Sequence, residues 1–128
     1  MNDTSAVIAT LVAVAAGGVA SVLRYSVSVL FARFAGRGTV RWAVLTVNVI
    51  GSALGGAVLG LAQAGALSAD LRLVLLGGVA GGLTTFSTWS VETVELALSG
   101  KWYRAALNVG LNLVIGLTVA TGAWLLLK

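Results

Sequence analysis

The sequence predicts an all-α integral membrane protein with four transmembrane helices, and three observations lead there. Of 128 residues, 59% are hydrophobic and only 9% charged, against about a quarter charged in soluble domains. A chain this short cannot hide so much apolar surface from water, and its mean hydropathy is +1.03. The apolar residues fall into four runs, each offering the ~20 residues a helical crossing needs. Short polar turns separate them, with no linker or repeat besides, so residues 1–128 read as one four-helix domain.

The first run extends from Ala6 to about Ala32 and is most apolar up to Leu23. Asp3 is the sole charged residue before Arg24, unlike the basic start of a signal peptide, so a retained span is expected. Gly17, Gly18, Ala20 and Ser21 form a small-residue face that lets another backbone come near. Arg24 ends the most apolar part, either snorkelling to the interface or serving function. Arg33 to Arg41, with Gly36, Arg37, Gly38 and Thr39, forms a polar linker. Trp42, an interfacial anchor, opens a second span to about Gln63. Its polar residues are Thr46, Asn48 and Ser52; Gly51, Gly55, Gly56 and Gly60 add close-approach surfaces. Asn48 is either interhelical glue or a donor of its NH₂ group to an anion, and this segment leaves both open.

After a turn from Ala64 to Ala69, the third span covers Leu71 to Leu98. Glu92 and Glu95, three residues apart, read as a helix end emerging into water. Ser99-Gly100-Lys101 turns the chain, and Trp102 and Tyr103 anchor a fourth span to about Leu127, with Trp124 as the closing aromatic. Asn108, Asn112 and Gly116 are spaced i, i+4, i+8 and share one stripe. An unpaired buried amide costs several kcal/mol, so this stripe must face protein or water rather than lipid.

The middle of the third span is its unusual part: Gly77-Gly78-Val79-Ala80-Gly81-Gly82-Leu83-Thr84-Thr85-Phe86-Ser87-Thr88-Trp89-Ser90. Glycine costs roughly 1 kcal/mol against alanine inside a helix, and hydroxyl side chains compete for backbone hydrogen bonds. The stretch is therefore expected to break the helix, in the manner of discontinuous helices that hold ions. Close packing at the glycines is the alternative, though it leaves the Thr84-to-Thr88 run unexplained.

Chemistry is limited by what is missing. With no histidine, no cysteine and four carboxylates, all at expected ends or loops, no acid–base pair lies at membrane depth. Gly81-Gly82 lacks the lysine of a phosphate-binding loop. The net charge of +4 reflects scarce acids rather than a clustered basic face, so no nucleic-acid partner is expected. Ion handling is better supplied: broken-helix backbone groups, hydroxyls, Asn48, Asn108, Asn112 and the positive ring edges of Phe86 and Trp89. Taken alone, those two rings also fit ordinary core packing.

Gly81-Gly82-Leu83-Thr84-Thr85-Phe86-Ser87-Thr88-Trp89 resembles the GGLTTFSTF signature of the Fluc (CrcB) fluoride channels. Val47-Asn48-Val49-Ile50-Gly51-Ser52 is similar to that family's VN-x-x-GS element. Gly17 to Arg24-Tyr25 resembles its first-helix pattern, and the four-span layout agrees end to end. The resemblance implies a fluoride channel subunit that exports fluoride passively across a prokaryotic plasma membrane. It further implies an antiparallel, dual-topology dimer in the lipid bilayer, with two fluoride pathways and a central structural sodium ion (Na+). By position, Gly81 and Thr84 would supply backbone carbonyls to the sodium. Phe86 and Trp89 would take the two phenylalanine positions beside the pores, and Asn48 would be the pore-side amide. Thr88 would belong to the polar track, Arg24 to the vestibule. Asn108 and Asn112 stand where the family usually has tyrosine and serine, Trp89 where it has phenylalanine, and Ala20-Ser21 where it has Gly-Ala.

Two other classes compete: a structural or accessory subunit of a membrane complex, and a small proton-coupled exporter. The exporter lacks a carboxylate at membrane depth. Short-loop Lys and Arg mark the cytoplasmic side. With Arg24 set aside, Arg33, Arg37, Arg41, Lys101 and Arg104 lie on one side against Arg72 and Lys128 on the other, five against two. Both termini are thus expected outside. Such a bias suits pairing with a paralogous subunit of opposite bias, while a bias this small also allows self-pairing.

Overall fold

A computed structural model describes residues 3–35 and 40–128; Gly36, Arg37, Gly38 and Thr39 of the expected linker lie outside the described residues. Apolar runs without proline propagate as helices, because in a bilayer every backbone group must be paired within its own segment. The elements are α1 (Asp3–Ala35), α2 (Val40–Gln63), α3 (Ala69–Leu73), a π-helical stretch (Val74–Ala80), α4 (Gly81–Leu83), α5 (Phe86–Leu98) and α6 (Trp102–Leu127). Among the described residues, four segments are long and apolar enough to cross a membrane: Thr4–Phe34, Arg41–Gln63, Ala69–Leu98 and Trp102–Leu127.

Two turns end their helices the same way. Gly65 and Gly100 both take a positive φ of 73°, a conformation that costs glycine little. In the first, the Ala66 amide reaches back to the Leu61 carbonyl; in the second, Lys101 reaches Leu96, each at 2.9 Å. Both are Schellman closures that satisfy the last carbonyls of the helix. Ser68 then caps α3 by accepting from the Leu71 amide at 3.2 Å.

The interior is small-residue and the exterior large. Buried apolar positions are mostly alanine and valine, among them Ala13, Ala20, Ala43, Val44 and Val47, whereas Leu117 and Leu126 are 71% and 84% exposed. A soluble protein reverses that arrangement; a membrane protein needs small residues where backbones meet and leucine toward lipid. The most extensive pairing is α2 with α6, and the π-helical stretch lies along α1. A methyl group on Gly56 would collide with the Ala120 carbonyl, which shows how near α2 and α6 approach.

Two expectations are corrected here. The glycine run does not interrupt the helix: Gly77 and Gly78 lie in the π-helical stretch and Gly81 and Gly82 in α4. At Gly78 and Gly82 the absent side chain serves packing instead. A Cβ on Gly78 would stand 2.5 Å from the Ala13 carbonyl oxygen, and one on Gly82 would overlap Gly17 of α1. Only Thr84 (φ −78°, ψ 155°) and Thr85 (φ −143°, ψ 116°) are extended. The Arg24 guanidinium donates from Nη1 to the Thr84 carbonyl at 3.3 Å. Second, Glu92 is not a solvated helix end: it is half-buried and its Oε2 has no partner among the described residues; Glu95 is exposed as expected.

The interfacial aromatics behave as the pattern implies. Trp42, Trp102 and Tyr103 are exposed, and the Trp124 indole N–H donates to Gln63 Oε1 at 2.8 Å, with the Lys128 ammonium 4.5 Å above its ring.

Candidate functional site

The two extended residues expose backbone groups that a helix would have paired with itself, and neighbouring spans take them up. Asn48 of α2 does most of this. The Thr85 amide donates to Asn48 Oδ1 at 2.8 Å, and Asn48 Nδ2 donates to the Thr85 carbonyl at 3.4 Å and to Asn112 Oδ1 at 3.0 Å. The amide orientation follows from the network, since a backbone N–H can only donate and so must meet the oxygen. Both Nδ2 hydrogens of Asn48 are therefore committed to protein. These bonds make Asn48 an interhelical clamp on the break.

A second line of bonds continues along α6. Asn112 Nδ2 donates to the Asn108 carbonyl at 3.0 Å, and the Trp89 indole N–H donates to the same oxygen at 3.1 Å. Asn108 Nδ2 donates to Thr93 Oγ1 at 2.9 Å, and Thr93 Oγ1 donates to the Trp89 carbonyl at 2.8 Å. Asn108 is 9% exposed, so the stripe does face protein. Each of Asn108 and Asn112 retains one amide hydrogen beyond these bonds.

Thr85 starts α5 as its N-cap, accepting from the Thr88 amide at 3.2 Å and donating to Thr88 Oγ1 at 3.1 Å. Such caps stabilise a helix by about 1 kcal/mol. Within the first turn that follows, Phe86 and Trp89 stand with ring centroids 5.4 Å apart and planes tilted by 59°, which directs a ring edge rather than a face across the pair. Phe86 is 75% exposed.

The consequence is one cleft of about 240 Å³ bordered by Asn48, Thr84, Phe86, Trp89 and Asn112, with Thr85 and Ser52 beside them. Asn108 joins through its carbonyl. Thr88 is tied to Thr85 but lies outside the cleft, and Arg24 approaches the break from α1. Gly81 is exposed, one turn before the break. Sequence reasoning singled out neither Thr85, which is 5% exposed, nor Thr93. The cap pattern Thr85-to-Thr88 and the i+4 spacing of Thr93 from Trp89 were the available signals. Ser21 was assigned only to the small-residue face; its hydroxyl donates to the Gly82 carbonyl at 3.2 Å.

Residues 11–124 match the family described as CrcB-like protein, Camphor Resistance (CrcB). The chain belongs to the CrcB-like family. Among curated relatives, the protein named "Fluoride-specific ion channel FluC" of Shewanella amazonensis is 43% identical over 107 residues, covering 83% of this chain and 86% of its own. Its namesake in Shewanella woodyi is 39% identical over 99 residues, covering 77% and 79%. A third, in Shewanella sp. strain ANA-3, is 42% identical over 104 residues, covering 80% and 83%. The relatives of this CrcB-like chain thus carry the name of an ion channel and not of an enzyme.

Proposed function

We propose that this chain is the subunit of a fluoride-specific ion channel, a multi-pass protein of the plasma membrane that lets fluoride leave the cell down its gradient. The carrying observation is the cleft itself: donors and tilted ring edges gathered at a helix break, with no carboxylate among the residues that border it. A small, strongly hydrated anion gives up water only where donors replace it, and conducts only where no single site holds it too firmly. Phe86 and Trp89 offer ring edges; Asn108 and Asn112 offer their uncommitted amide hydrogens; Thr88 and Arg24 lie toward the two ends. Asn48 acts by holding the break open rather than by donating to the ion.

The discriminating experiment is fluoride efflux from liposomes. A channel releases fluoride along its gradient, a structural subunit releases none, and a proton-coupled exporter follows the pH gradient. Phe86→Ile, similar in bulk but without a polarised edge, is expected to abolish efflux with assembly intact on size-exclusion chromatography. Normal flux in this variant removes the ring from the pathway.

A sodium ion fits the break chemically. The Thr84 carbonyl is outside the helical ladder, Arg24 takes one of its two lone pairs, and backbone oxygens suit a hard cation without an acidic cluster. Gly81 and Thr84 carbonyls from two copies would hold it, and it would supply a fixed positive centre joining two breaks. The pairing we favour is antiparallel, supported by the exposed face around Gly81 and by the modest charge bias. Labelling of Lys128→Cys in intact cells decides the partner. Equal access from both sides indicates self-pairing; access from outside alone indicates a paralogous subunit of opposite bias.

A further inference from the structure

The spans beginning α2 and α6 are two crossings apart, so both helices start at the same membrane face. Between their first turns lies a separate cavity of about 280 Å³, with Arg41 and Arg104 at one end and Trp42, Leu45, Leu107 and Leu111 as its walls. We propose that this cavity binds an anionic phospholipid, its phosphodiester between Arg41 and Arg104 and an acyl chain along the leucines. Four observations support that occupant.

The first is charge. No carboxylate stands within ion-pairing distance of Arg41 or Arg104 among the described residues, and neither guanidinium has a hydrogen-bond acceptor there. Glu92 is within electrostatic reach of Arg41. Two guanidiniums against at most one carboxylate leave a net positive charge, which a phosphodiester complements. The second is the helix terminus: Lys101, at the N-cap of α6, makes no side-chain capping bond, so the first-turn amides add donors on the same side as the arginines. The third is amphiphilicity. A free inorganic anion needs no leucine wall, whereas a lipid places its headgroup and its chain in such an order. The fourth is depth: Trp42, Trp102 and Tyr103 mark the membrane–water boundary at this end. It is also the face with the larger share of Lys and Arg, where the negative cytoplasmic leaflet is expected. Asn108 also lines the cavity, one helical turn along α6 from Arg104.

The test uses the full-length protein purified from vesicles of equimolar phosphatidylglycerol and phosphatidylcholine, with retained lipid read by native mass spectrometry. The wild-type protein should retain phosphatidylglycerol over phosphatidylcholine by roughly tenfold, on the scale of two basic residues at a membrane surface. Arg41→Gln with Arg104→Gln should bring the ratio to parity. Leu111→Trp, which fills the cavity and leaves both charges, should also lower it several-fold, and it decides alone if the double variant does not fold. Arg72→Gln, at the opposite face, should keep the wild-type ratio. Parity in the wild type overturns the proposal. An unchanged ratio in Leu111→Trp shows diffuse attraction instead of a site and also overturns it. Displacement of the lipid by millimolar inorganic phosphate assigns the cavity to a free anion and overturns the lipid.

Discussion

The third span is two different kinds of structure joined end to end. Residues 69–83 lie on α1 and are held by absence: Gly78 and Gly82 have no side chains, so Ala13 and Gly17 come to contact distance. Residues 86–98 lie on α6 and are held by directed bonds, the Trp89 indole donating to the Asn108 carbonyl and the Asn108 amide donating to Thr93. Dispersion between close backbones is strong in sum but indifferent to charge. Hydrogen bonds in a low-dielectric interior are directional and costly to leave half-made. The first half is therefore a wall and the second a polar device, and Asn48 sits at the joint.

Substitutions at the joint and on each side should separate the two. The largest effect is expected for Asn48→Asp. The carboxylate still accepts from the Thr85 amide but sets acceptors against the Thr85 carbonyl and Asn112 Oδ1. Efflux should fall by at least about a hundredfold, on the scale of an unpaired buried charge; flux near wild type shows that the clamp is dispensable. On the wall side, Gly78→Val meets backbone at Ala13, which cannot give way as a side chain would. About 1–3 kcal/mol of destabilisation is expected, seen as a lower thermal midpoint in detergent, whereas an unchanged midpoint means α1 is not tightly seated. On the polar side, Trp89→Phe removes one neutral hydrogen bond to Asn108, worth about 1 kcal/mol, and efflux should stay within about fivefold of wild type. Complete loss would give the indole N–H a direct part in conduction. Smallest of all is Gly18→Ala: a Cβ there meets nothing within 4 Å, so the midpoint should move by less than about 0.5 kcal/mol equivalent.

Much of this was legible in the sequence, because membrane crossing is a property of length and hydropathy, and the four spans follow from those alone. The stripe Asn108–Asn112 was legible too, since an amide in lipid demands a partner. What the sequence blurred was the division of labour inside Gly77–Ser90. Glycine weakens helices in water, but in a packed span its missing Cβ can contribute more through contact than it loses in propensity, and tertiary contact decides. The role of Asn48 was equally hidden. Whether an amide faces an ion or a backbone depends on a neighbour 37 residues away, Thr85, which no local pattern reports. Glu92 misled for a related reason: an acidic pair near a helix end looks wet until the fold half-buries one member of it.

The extended pair also sets a phase. Two residues in extended form advance the chain by about 6.6 Å where two helical residues advance about 3 Å, and the helix that resumes at Phe86 starts with its own azimuth. This is how one span can address α1 with its first half and α6 with its second. Loss of a single residue at Thr84–Thr85 would draw α5 back by about 3.3 Å and upset that azimuth. Phe86 and Trp89 would then turn away from Asn112, although Asn48, Ser52 and Asn112 remained in place. In this chain the length of the interruption is as much a part of the cleft as the side chains that border it.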